Sequence, residues 1–109
     1  MMTEIQEKIQ KIAETYGYDA QSRQCIEEMA ELTQAINKFW RKPLQCGSVR
    51  REPHGFSDSE EYQNVVEEIA DVSIMLEQMK FFLECGNDVH KIIEQKLARQ
   101  LGRIEGKDV

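Results

Sequence analysis

The segment from about Glu60 to Glu84 is apolar on nearly every side, and no other feature narrows the fold as much. Val65, Ile69, Val72, Leu76, Met79 and Leu83 recur at three- and four-residue steps, the period of one helix face. Ile74 and Phe81 fall away from that stripe, and Met75 and Phe82 sit on its flank. A helix apolar nearly all round has to be buried on more than one side. With 109 residues, the chain has few other helices to offer. Either the first helix covers the second side or another copy of the chain does. The expectation is a homo-oligomer, a dimer at least.

The remaining segments also read as helices. From about Glu4 to Tyr16, Ile5, Ile9, Ile12 and Tyr16 fall at helical spacing, and Thr3 with Gln6 fits a capping box. Gly17 ends this helix. Asp19 or Ser22 caps a second, with Cys25, Met29, Leu32, Ile36, Phe39 and Trp40 on one side and Pro43 as its stop. Leu44 to Ser59 is one long loop. Asp58 or Ser59 caps the third helix, Gly86 closes it, and Asn87 or Asp88 caps a fourth that runs to about Ile104, leaving a frayed tail. No run alternates as a strand would. The fold expected is all-α, one domain over 1–109, with four helices in a bundle completed by oligomerisation.

Glu27-Glu28-Met29-Ala30-Glu31-Leu32 on the second helix is written again as Glu67-Glu68-Ile69-Ala70-Asp71-Val72 on the third. Apolar residues lie over apolar residues and Ala over Ala. At about 100° per residue, Glu28 and Glu68 land at the edge of their apolar stripes. Glu31 and Asp71 lie one turn on along the same flank, with Cβ atoms about 5–6 Å from those of their partners. If the helices pack through these faces, Glu28, Glu31, Glu68 and Asp71 converge. Converging carboxylates repel unless protonation or a cation relieves them. No His or Cys joins them, so an oxygen-only set favours Mg²⁺, with Mn²⁺ as the other option. One such motif alone is ordinarily a solvated face. Two copies in the same register are less easily chance, and Glu27 and Glu67 point further out.

The chain carries 20 acidic against 14 basic residues. That balance argues against nonspecific binding of a nucleic acid polymer, which needs Lys and Arg at the phosphates. It leaves room for a nucleotide brought in with a divalent cation. Cys25, Cys46 and Cys85 form no CxxC pair, and neither a signal sequence nor a membrane-spanning run is present. The expected location is the reducing cytoplasm.

Basic residues fall in two places. Lys96, Arg99 and Arg103 share one flank of the fourth helix, either pairing with surface acids and the helix C-terminus or, at Lys96, meeting a phosphate. Arg50, Arg51 and His54, with Arg41 and Lys42 before them, make the long loop either a solvated basic segment or a lid. At the end of the second helix Phe39 suits core packing, whereas Trp40 is open to packing or to stacking on a base.

EExxE at Glu27–Glu31, ExxD at Glu68–Asp71, and the flanks AELTQAINKFWRK, EIADVSIMLEQM and KLARQLGRIE resemble the MazG-like nucleoside triphosphate pyrophosphohydrolases. The likeness covers about residues 25–104, the loop at 44–59 excepted. It implies hydrolysis of a nucleoside triphosphate to the monophosphate and pyrophosphate, in nucleotide-pool cleansing. It implies Mg²⁺ held by Glu28, Glu31, Glu68 and Asp71, and a dimer or tetramer. Glu27 or Glu31 would orient the attacking water, and Lys96, Arg99 and Trp40 would contact substrate. The chain departs from the family in the longer stretch between Glu31 and Glu68, and in having Arg99 and Arg103 where Asn and an aromatic residue are usual. Two other readings stay open: a phosphoribosyl-ATP-type pyrophosphohydrolase, and a non-catalytic helical interaction module.

Overall fold

The computed structural model describes residues 1–41 and 59–106, and over them the chain is all-α, with four helices and no strand. Helix α1 spans Glu4–Tyr16, α2 Tyr18–Trp40, α3 Glu60–Leu83 and α4 Gly86–Ile104. The expected long loop, with Arg50, Arg51 and His54, lies outside the described residues except for Ser59.

The ends of the helices follow from local chemistry. At the start of α1 the Gln6 N–H donates to Thr3 Oγ1 at 3.1 Å and the Thr3 N–H to Gln6 Oε1 at 2.7 Å, the expected capping box. Ser59 caps α3 by accepting from the Tyr62 N–H at 3.1 Å. Gly17 has φ 86° and ψ 163°, a region essentially reserved for glycine. It closes α1 and opens α2 in a single residue, so α2 needs no cap at Asp19 or Ser22. Ser22 Oγ instead donates back to the Asp19 carbonyl at 3.2 Å.

The stop expected at Gly86 falls earlier. Glu84 takes the left-handed conformation, φ 52° and ψ 41°. The Cys85 N–H donates to the Lys80 carbonyl at 3.2 Å and the Glu84 N–H to that of Phe81 at 3.3 Å, a Schellman pair. Gly86 then becomes the first residue of α4. Cys85 precedes it without a side-chain cap, in place of Asn87 or Asp88.

Helices α2 and α3 pack antiparallel. Tyr18 meets Phe82 edge-on at 5.5 Å between ring centroids, Gln21 bonds Gln78, and Phe39 meets Tyr62 edge-on at 6.3 Å. Between these points the seam on α2 consists of Gln21, Cys25, Glu28, Leu32, Ala35 and Phe39, all buried or half-buried. On α3 it consists of Tyr62, Val65, Glu68, Val72, Met75, Met79 and Phe82. Burial of Val72 and Met75 contributes about 1.5–3 kcal/mol each.

This seam is not quite the one the sequence predicts. Cys25, Leu32 and Phe39, with Val65, Val72 and Met79, belong to both. At the steps between them the structure takes the preceding residue: Glu28 for Met29, Ala35 for Ile36, Glu68 for Ile69, Met75 for Leu76, Phe82 for Leu83. Met29, Ile36 and Leu76 are each left 48% exposed, and Ile69 49%. Ala35 is small enough to let the helices close, where Ile36 would hold them apart. Both helices therefore turn toward their acid-bearing flank, and a second apolar flank is left bare.

The outer helices do not cover that flank. α1 buries Ala13 and half-buries Ile9, while Ile5, Ile12 and Tyr16 of its expected stripe are exposed. It reaches α3 near Glu77 and Phe81. Helix α4 meets only α3 among the described helices, and every residue from His90 to Leu101 is exposed. The Cα radius of gyration is 17.9 Å, against about 13 Å for a compact chain of this length. No helix among the described residues is long and apolar enough to cross a membrane.

Candidate metal centre

The antiparallel register brings Glu28 of α2 level with Glu68 and Asp71 of α3. One carboxylate oxygen from each of these three residues lies within 4.8 Å of the other two. Glu28 and Glu68 sit where an apolar residue would otherwise complete the seam, and Asp71 stands beside them. Glu28 and Glu68 are half-buried and Asp71 is exposed, so the cluster lies on the rim of the helix interface.

Glu28 is the centre of the group. Its Oε1 accepts from Gln24 Nε2 at 2.7 Å, one turn back on α2. Its Oε2 is buried and has no hydrogen-bond partner among the described residues, and the same holds for Glu68 Oε2. A buried carboxylate oxygen normally has a partner, so two orphans side by side mark a place for a donor or a cation.

The charges act on one another. The Glu31 carboxyl is pushed above its ordinary 4.5 first by the adjacent Glu28, then by desolvation. Glu68 is pushed up first by desolvation and then by Glu31, Asp71 and Glu28. Asp71 rises above its ordinary 3.8 through desolvation, then through Glu28 and Glu67. Each group holds its proton more firmly than an isolated carboxyl would, because desolvation and the neighbouring carboxylates both disfavour a further negative charge.

Of the acids singled out in the sequence, Glu28, Glu68 and Asp71 come together. Glu31 stands beside them, near enough to act on Glu68 but outside the closest triad. Glu27 is exposed and is felt only through its charge on Glu31. The donors are all carboxylate oxygens, which suits a hard cation such as Mg²⁺ or Mn²⁺.

A cleft of about 270 Å³ opens from Glu31 and Glu68 between the C-terminal half of α2 and the start of α3. Gln34, Lys38 and Asn64 line it as well. None of these three is a residue the sequence reading selected, nor is Gln24. The signal was available in their spacing: Gln24 lies four residues before Glu28, and Lys38 seven after Glu31, on the same helix flanks.

None of the expected substrate contacts is among the residues that line this cleft. Lys96 and Arg99 are exposed on α4, and neither is among the charges that act on the acid cluster. Trp40 is 57% exposed at the end of α2, whereas Phe39 packs on Tyr62. Comparison of the chain with protein-family models, with curated proteins and with solved structures gives no match.

Proposed function

We propose that the chain is a Mg²⁺-dependent nucleoside triphosphate pyrophosphohydrolase of the MazG-like kind, acting as a homo-oligomer. The observation that carries this reading is the convergence of Glu28, Glu68 and Asp71 with two buried, unpartnered carboxylate oxygens. The EExxE and ExxD motifs on which the family resemblance rests are the segments that supply these acids.

The donor set fits the cation. Glu28, Glu68 and Asp71 would hold it, with Glu31 completing the shell or facing the substrate. When bound, Mg²⁺ supplies positive charge to the phosphate oxygens of the triphosphate. The rest of the work falls to side chains. Glu31 borders both the triad and the cleft, so its carboxylate stands where an attacking water would give up a proton. It takes the proton of a water that adds to one phosphorus of the α–β anhydride. The anhydride P–O bond breaks, and its electron pair leaves with the departing phosphate oxygen. Lys38 offers the cleft a positive charge, and Gln34 and Asn64 offer amide donors and acceptors. Glu27, exposed on the outer side, is the weaker choice of base.

The bare apolar faces support self-association. Met29 and Ile36 on α2, Ile69 and Leu76 on α3, and Ile93, Leu97 and Leu101 on α4 are all about half exposed. Monomeric soluble proteins rarely leave so much apolar surface uncovered. Lys96 and Arg99 share α4 with these residues, so a neighbouring copy is one route by which they would meet a substrate. The same surface favours the second reading, a helical interaction module without catalysis. Pyrophosphate release across canonical and altered dNTPs and NTPs, with and without Mg²⁺, separates the two. Turnover that needs the cation supports the enzyme. No turnover on any of them, together with a melting temperature indifferent to Mg²⁺ and to a non-hydrolysable analogue, overturns it.

A further inference from the structure

Gln78 is 1% exposed and is the only polar side chain among the described residues that is buried as a whole. Its Oε1 accepts from Gln21 Nε2 across the α2–α3 seam at 2.8 Å. Gln21 lies one heptad before Glu28, and Gln78 one heptad after Asp71. The amide pair and the acid cluster are thus two polar intrusions in one seam, two helical turns apart.

We propose that the Gln21–Gln78 pair locks the register of α2 against α3 and so keeps Glu28 abreast of Glu68 and Asp71. Other forces in the seam do not select that level. Apolar contacts among Cys25, Leu32, Ala35, Val65, Val72 and Met75 choose a face but are non-directional along the helix axis. The acids oppose their own alignment, since each raises the cost of charging its neighbours. The edge-on aromatic pairs at the two ends are easily remade against other apolar side chains. A side-chain amide bond is directional, and one partner here is sealed from water. A slip of one turn would carry Gln78 to Cys25, whose thiol is a poor partner, and would strand a buried amide. Buried polar pairs fix register in the same way in coiled coils.

The lock concerns helix alignment and stands without a cation; its consequence for a cation rests on the metal-centre reading. The test is nuclear magnetic resonance of the labelled full chain as wild type, Gln78→Leu, and Gln21→Leu with Gln78→Leu. The wild type should show one set of ring contacts, Tyr18 with Phe82 and Phe39 with Tyr62. The double variant exchanges matched amides for matched apolar groups and leaves nothing buried unpaired. It should fold, and those ring contacts should be lost or doubled. The single variant should show the same loss or doubling, with a lower melting temperature. A folded double variant that keeps the wild-type contacts alone overturns the lock, as does a double variant that fails to fold. Mn²⁺ added to the wild type should broaden the amides of Glu28, Glu68 and Asp71. In the double variant it should bind about tenfold more weakly or worse. If the wild type shows no such broadening, the metal-centre reading falls while the ring contacts still decide the lock.

Discussion

Gln24 donates to one oxygen of Glu28 at 2.7 Å, and the other oxygen of that carboxylate is buried without a partner. The amide holds the carboxylate from one side, and one of its oxygens lies within 4.8 Å of Glu68 and Asp71. Groups that orient a ligand from behind typically matter about 10–100-fold for metal affinity. Gln24→Leu should therefore weaken Mg²⁺ or Mn²⁺ binding by about that factor, measured by calorimetry, with helix content unchanged. An unchanged affinity would show that Glu28 needs no such support.

Glu68→Ala and Asp71→Ala should each abolish pyrophosphate release while leaving the circular dichroism of the fold intact. A variant that kept near-full turnover would remove the metal centre from the mechanism.

The acid cluster also makes stability depend on pH. Glu31, Glu68 and Asp71 have folded-state pKa values raised above their ordinary 4.5, 4.5 and 3.8. The folded state therefore holds these protons more tightly than the unfolded one. Their stabilising contribution is complete below about pH 4 and is lost as pH rises through the raised values. Glu68→Gln removes one charge and relieves its neighbours. Without metal, the melting temperature of this variant relative to wild type should climb as pH goes from about 4 to 7. Saturating Mg²⁺ should reverse the order at pH 7. A difference that stays flat with pH would mean the carboxylates do not feel each other.

Two turn residues give opposite tests by thermal unfolding. Gly17 occupies a backbone region closed to other residues, so Gly17→Ala should cost about 1–3 kcal/mol. Glu84 holds a left-handed conformation that costs a non-glycine residue roughly 1–2 kcal/mol. Glu84→Gly should recover up to about 1 kcal/mol of it, part being offset by the freedom glycine has in the unfolded chain.

Self-association should depend on the bare faces. Leu97→Glu with Leu101→Glu places charge on α4 where nothing among the described residues covers it. Light scattering should show the wild type as a dimer or larger at micromolar concentration and the variant as a smaller species. A monomeric wild type would overturn the assembly.

Sequence periodicity was enough to find the helices and to foresee that the two acid motifs meet. Helix α1 has the expected bounds, and the cap at Ser59 is one of the two expected. The rotation of the seam was not legible. From Cys25, a step of three reaches Glu28 and a step of four reaches Met29, and both rejoin the stripe at Leu32. Hydrophobicity chooses Met29 and Ile36; the packed structure turns Glu28 and Ala35 inward, and only at Ala35 does a smaller side chain account for the choice. The same ambiguity separates Met75 from Leu76. Glu84 escaped notice because the nearby Gly86 is the better left-handed former, yet the hydrogen bonds close around Glu84. Lys38 stands beyond the motif, so only its shared flank with Glu31 ties it to the acids.

Glu28 is followed directly by Met29, and Glu68 by Ile69, so each helix turns a carboxylate inward and an apolar side chain outward within a single step. Anything that settles on the outer flank pushes on the same turn of backbone that aims the acid. If copies of the chain meet through that flank, as proposed, dilution would act on this molecule much as removal of a ligand would, unloading the turn behind each acid. Under the proposed enzymatic reading, specific activity would then change with protein concentration.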